Sequence, residues 1–196
     1  MNKMQIAKDY TSLGVRHILE GYDYLLFLAC LIMIAGTGRR ILITVTGFTV
    51  AHSITLALSA FNLLRVPSAP VEAVIALSIV FLASEIAKEP RDTLTYKYPA
   101  LVSVAFGLLH GLGFASVLRQ IGLPQTEIVM GLLFFNIGVE IGQLAFIAMI
   151  ILIYKLFIFA TNRRTVNLLT LEKPSAYVVG SIAAFWMIER VYSFWY

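Results

Sequence analysis

Hydrophobic residues run along this chain in six stretches, the first five closed by charges, glycines or prolines. The first covers residues 15–35 and ends at Gly36, Gly38 and the pair Arg39 and Arg40. The second, 41–64, stops at Arg65, with Pro67 and Pro70 in the following turn. The third, 71–87, meets Lys88, Pro90 and Arg91, and the fourth, 99–118, meets Arg119 and a turn containing Gly122 and Pro124. The fifth, 126–154, is the longest, and a polar stretch from Thr161 to Pro174 separates it from the sixth, 176–195. Apolar runs of about 20 residues suit helices that cross the hydrocarbon core of a bilayer. The pattern predicts an all-α integral membrane protein, a bundle of about six transmembrane helices forming one domain over 1–196, with both termini on the same side.

Composition supports that class. Hydrophobic residues make up 59% of the 196, charged residues only 13%, and mean hydropathy is +0.84, too apolar to cover a soluble surface. The net charge of +4 sits in the loops, which suits anionic lipid headgroups and excludes a nucleic-acid binder. Arg39, Arg40, Lys88, Arg91, Lys97, Lys155, Arg163, Arg164 and Lys173 fall on one face. Lys3, Lys8, Arg16, Arg65, Arg119 and Arg190 fall on the other, nine against six. The positive-inside bias then predicts termini outside. The single Cys30 excludes an intrachain disulfide and a cysteine-cluster metal site. The N-terminal stretch lacks the apolar core of a signal peptide, so targeting is expected to fall to the first span.

Polar residues inside these stretches carry the chemistry. All three histidines, His17, His52 and His110, lie in or at the edge of a span, as do Asp23, Glu72, Glu85, Asn136 and Glu140. Intramembrane ionisable groups are costly unless they pair, line a wet cavity or bind an ion. Asn136, Glu140 and Gln143 are spaced i, i+4, i+7 and share one helix face. That stripe reads either as interhelical glue or as part of a site. Gly107, Gly111 and Gly113 predict close backbone approach around His110. Phe48 and His52 repeat the spacing of Phe106 and His110, an internal echo that suggests spans two and three are related to spans four and five as pairs in parallel orientation. In the first span His17, Glu20 and Asp23 are three apart, which brings them to neighbouring turns of one helix. Glu72 reads as a helix-start carboxylate, Glu85 as a partner for Lys88 or Arg91, and Glu189 with Arg190 as an interfacial ion pair. Imidazoles with carboxylates form the ligand set for a divalent transition metal: Ni, Co, Zn, Fe or Mn. The expected centre is His17, Asp23, His52, His110 and Glu140, with His52, His110 and Glu140 acting as one unit. Glu72, Glu85, Asn136, Gln143 and Tyr24 support it.

The ordered motifs resemble a known family. Gly14, His17, Gly21 and Asp23, then Phe48, His52, Ser53 and Thr55, then Glu72 and Ser78, are similar to the motif series of the HupE/UreJ proteins. So are Phe106, His110, Gly113 and Phe114, then Phe135, Asn136, Glu140 and Gln143, and finally Trp186, Glu189 and Arg190. The resemblance spans residues 10–195. It implies a bacterial inner-membrane protein of nickel hydrogenase or urease systems, a nickel or cobalt permease or a metal-delivery accessory protein. Two positions depart from the family pattern. Tyr24 stands where a histidine usually follows the aspartate, and Ile86 follows Glu85 where an asparagine is common. The first change removes one imidazole and leaves a more oxygen-rich set.

Two other functions fit the same residues. One is a membrane metalloenzyme, in which a His/Glu/Asp-bound metal activates water and Glu72 or Glu140 serves as general base. The other is a structural subunit of a membrane complex, paired with another membrane protein or with its own copies. The sequence contains no phosphate loop, nucleophile elbow or zinc-protease helix, which leans the reading away from an enzyme.

Overall fold

The computed structural model describes residues 3–88, 91–121, 127–161 and 168–195, and among these the side chains outside 115–121, 161 and 168–171. The turn expected at 122–124 and the pair Arg163 and Arg164 lie outside the described residues, as does the side chain of Arg119. Eight helices follow in order: α1 (Lys3–Glu20), α2 (Tyr22–Ala35), α3 (Gly38–Ala60), α4 (Ser68–Ala87), α5 (Leu94–Lys97), α6 (Pro99–Ile121), α7 (Ile128–Thr161) and α8 (Leu168–Tyr192). No strand occurs among the described residues.

Three helices, α3, α4 and α7, are long and apolar enough to cross a membrane, and a fourth span results if α1 and α2 count as one. The single continuous helix expected over 15–35 is corrected here. It breaks at Gly21, where α1 and α2 meet at 74°. Gly21 is extended (φ −83°, ψ 94°), and a Cβ there would lie 2.7 Å from the His17 carbonyl oxygen. The break separates His17 and Glu20 from Asp23, so the three no longer occupy neighbouring turns of one helix.

The two halves of the break differ in environment. Of α2, Tyr22 alone is exposed, and Tyr24, Phe27, Leu28, Cys30, Leu31, Ile34 and Ala35 are buried. A helix apolar all round belongs inside a bundle. At 14 residues it spans about 21 Å, short of the roughly 30 Å hydrocarbon core. α2 is the central post, and three helix pairs, α1 with α7, α3 with α6 and α4 with α8, pack around it.

Glycine sets how closely two of those pairs approach. On α7, Gly138 and Gly142 form a small-x-x-x-small step, and a methyl at Gly138 would sit 2.1 Å from the Thr11 carbonyl oxygen of α1. On α6, Gly107 lies under the Phe48 carbonyl and Gly111 under Thr55 and the His52 carbonyl of α3. Gly113 differs from the sequence expectation: it faces the side chain of Ile75, not a backbone. Contacts of Gly47 with Val104, Phe48 with Gly107 and His52 with Gly111 advance together along both chains. α3 and α6 are therefore parallel. The repeated phenylalanine–histidine spacing falls on two helices packed side by side, bringing His52 and His110 to one level.

Ion pairs join α8 to the segment after α4 at one end and to the start of α4 at the other. At one end Arg91 pairs with Glu172 of α8, and its guanidinium lies 5.5 Å from the Tyr96 ring centre. Glu85 takes Lys88 at 3.3 Å, and Arg40 donates to the Tyr96 carbonyl at 2.6 Å. Burial pushes the Tyr96 phenol above its ordinary pKa, with Arg91 opposing. At the other end Arg190 of α8 reaches Glu72 (3.9 Å) and Asp23 (3.5 Å), and donates to the Glu72 carbonyl at 2.9 Å. Arg190 thus turns to α4 and α2, where the sequence suggested Glu189.

Candidate metal centre

The parallel packing of α3 on α6 and the bend at Gly21 bring three imidazoles around one phenol. The Tyr24 ring centre lies 4.4 Å from that of His17, 5.1 Å from His110 and 6.1 Å from His52. His17 and His52 are themselves 6.1 Å apart. His52 and His110 are both 0% exposed. The Tyr24 hydroxyl donates to the His110 carbonyl at 3.3 Å, which holds the phenol in the middle of the group. Position 24 faces the cluster.

Phenylalanines enclose it. Phe114 lies 3.9 Å from His17, Phe27 4.6 Å from His110, and Phe48 stacks on His52 at 5.9 Å with a 17° tilt. In so apolar a shell the imidazole nitrogens find few partners. His17 Nε2, both nitrogens of His52 and Nδ1 of His110 are buried without a hydrogen bond. Each such group costs about 1–3 kcal/mol. The fold concentrates several of these costs in one place.

Ser78 orients His110. Its hydroxyl donates to the Ile75 carbonyl at 2.6 Å and lies 3.3 Å from His110 Nε2. A hydroxyl has one proton, and with that proton on Ile75 the oxygen accepts from Nε2–H. The Nδ1 lone pair is then the free one. A hydroxyl or carbonyl that bonds one ring nitrogen and so fixes the tautomer is what a ligating histidine requires. A small cavity is lined by Tyr24, Phe48, Leu31, Val45 and Gln143 among others. Its volume of about 10 Å³ is room for about one water.

The remaining sequence candidates go elsewhere. Asp23 is held by Arg190, and its other oxygen accepts from the Tyr24 amide at 2.9 Å. Glu72 shares that arginine, and Glu85 pairs with Lys88. Glu140 accepts from Thr46 at 2.7 Å, Gln143 accepts from Thr49 at 2.8 Å, and Asn136 donates to the Leu132 carbonyl of its own helix. Among the described residues, no group of three or more His, Cys, Asp or Glu side chains is placed to hold one ion. The expected unit of His52, His110 and Glu140 is therefore not assembled in this conformation. The imidazoles contact aromatic rings, Tyr24 and Phe48 among them, and Glu140 is engaged by α3.

The chain matches the family described as HupE / UreJ protein over residues 1–190. It belongs to the HupE/UreJ family. No curated protein and no solved structure gives a significant match. Within this HupE/UreJ protein, the departure at Tyr24 falls in the centre of the imidazole group. Sequence reasoning missed Ser78 as the partner of His110, and it missed the phenylalanine shell. Both had a signal. Phe48 and Phe106 precede their histidines by one turn, and Ser78 is the one hydroxyl in the middle of an otherwise apolar α4 stretch.

Proposed function

We propose that this protein handles a divalent transition metal of the nickel or cobalt class as cargo, as a permease or as a metal-delivery accessory protein of the membrane. Membership of the HupE/UreJ family suggests that role. The observation that carries the reading is the set of buried, unpartnered nitrogens on His17, His52 and His110. Neutral imidazoles with free lone pairs suit Ni, Co, Zn or Fe better than hard cations. The aromatic shell excludes competing water, and Ser78 presents Nδ1 of His110 as a donor. Tyr24 acts as a plug: its ring keeps the imidazoles apart until it turns aside. A site that opens this way binds and releases, as transport requires.

Elemental analysis tests the reading on protein purified without chelator or affinity histidines, after exposure to Ni, Co, Zn, Mn and Fe separately. One divalent metal per chain, with imidazole nitrogen in its X-ray absorption spectrum, is the expected result. Metal-replete protein that retains none overturns it.

The same reading places the chain in a bacterial inner membrane with six crossings and both termini outside. The basis is the six apolar stretches and the uneven distribution of Lys and Arg. Cys30 is buried, so the native thiol gives little background to labelling. Lys3→Cys should react with an impermeant maleimide in intact cells and Thr165→Cys should not. The opposite pattern reverses the orientation.

A further inference from the structure

On the α3–α7 face lies a second group of polar side chains, chemically unlike the imidazoles. Glu140 Oε1 accepts from Thr46 at 2.7 Å, while Oε2 is buried and has no hydrogen-bond partner. One turn earlier on the same face, Asn136 spends its amide nitrogen on the Leu132 carbonyl, leaving Oδ1 buried and unpartnered. One turn on, Gln143 is 3% exposed and meets Thr49 of α3. No basic side chain pairs with Glu140 among the described residues, whereas Asp23, Glu72, Glu85 and Glu172 each have one.

A carboxylate within a membrane-spanning helix needs a compensating positive charge. Here two orphaned oxygen acceptors lie a turn apart, with hydroxyls of Thr46 and Thr49 able to rotate and offer lone pairs. Every available ligand atom is a hard oxygen, and the set carries one negative charge. Oxygen donors select hard cations over nickel or cobalt, and one charge is neutralised by a monovalent ion. Thr46 is exposed at the edge of the group, and Thr49 and Gln143 are enclosed, so the group has an open side and a closed one.

We propose that Glu140, Asn136, Thr46 and Thr49 form a sodium site distinct from the imidazole centre, and that it binds the ion that drives cargo movement. The binding site stands on its own geometry; the driving role rests on the transport reading above. Gln143, one turn beyond Glu140, lines a small cavity together with Tyr24. Sodium bound between α3 and α7 would fix the helix that carries His52.

The experiment measures melting temperature and sodium-22 binding for protein in choline chloride titrated with NaCl. Wild-type protein should bind sodium and melt higher in it. Glu140→Gln, nearly the same shape, should weaken sodium binding about tenfold or more, the cost of losing a charged partner. Thr46→Val, at the exposed edge, should weaken it less without disturbing buried packing. His52→Asn should keep sodium binding while losing nickel or cobalt. Equal sodium responses in wild type and Glu140→Gln overturn the site. So does a wild-type response reproduced in choline by acidification alone, which would mean that the carboxyl takes a proton. If sodium binds but no transition metal does, the cargo reading fails and the site survives. If both bind and sodium leaves cargo uptake into vesicles unchanged, the driving role is overturned.

Discussion

His52→Leu and His110→Leu are each expected to abolish transition-metal binding, and the double variant to lose little more. The imidazoles come from parallel helices whose register is fixed where Gly107 and Gly111 touch α3. Removing one leaves the others too few to hold an ion, a loss of about a hundredfold or more in affinity for either single change. Groups acting as a unit are strongly non-additive. The stability of these variants separates this reading from a structural one. Were the histidines interhelical glue, leucine would lower the melting temperature. Neither nitrogen of His52 has a hydrogen bond to lose, and an apolar side chain of similar size avoids burying two unsatisfied polar atoms. Chelator-treated His52→Leu is therefore expected to melt at or above the wild-type temperature, by up to a few kcal/mol of added stability. A clear fall in melting temperature, together with unchanged metal content, would sink the metal-centre reading.

The hydrophobic pattern made the helical class legible because lipid and bundle interior impose the same demand on every span. The long helices α3, α4 and α7 followed directly from their apolar runs. The break at Gly21 did not. Its cause is tertiary: His17 and Tyr24 approach each other around the bend, and the glycine between Glu20 and Asp23 reads equally well as a tolerated residue within one helix. The three histidines were legible as a group because buried imidazoles are conspicuous in apolar sequence. Their carboxylate partners were less so. Whether Asp23 meets a metal or Arg190 depends on how α8 lies against α4, about 170 residues away in the chain. The i, i+4, i+7 stripe correctly indicated that Gln143 faces another helix, yet spacing alone could not show that Asn136 bonds its own backbone. Helix periodicity fixes the face and leaves the partner open.

Tyr24→His is expected to convert a plugged cluster into an open one that binds nickel or cobalt more tightly. In the wild-type fold the phenol lies within 6.1 Å of all three imidazole rings, ring centre to ring centre. It offers them no nitrogen, and its hydroxyl is directed to the His110 carbonyl. An imidazole at this position is smaller and adds a fourth nitrogen donor. It also enlarges the adjoining cavity, so the rings have room to move toward a common ion. Nitrogen in place of a phenol favours Ni and Co over Mn, so affinity should rise by about tenfold or more for the former and little for the latter. The change also removes the hydroxyl bond to His110 and leaves a void, so the chelator-treated protein should be less stable by about 1–3 kcal/mol. Metal should recover that loss, since an ion that binds only the folded state stabilises it in proportion to its affinity. Melting curves of wild type and Tyr24→His, with chelator and with each of the two metals, together with competition binding against Mn, measure both effects. Equal affinities in the two proteins would show that Tyr24 is packing alone. A rise for Ni and Co that disappears in Tyr24→His combined with His52→Leu assigns the new nitrogen and the old ones to the same ion.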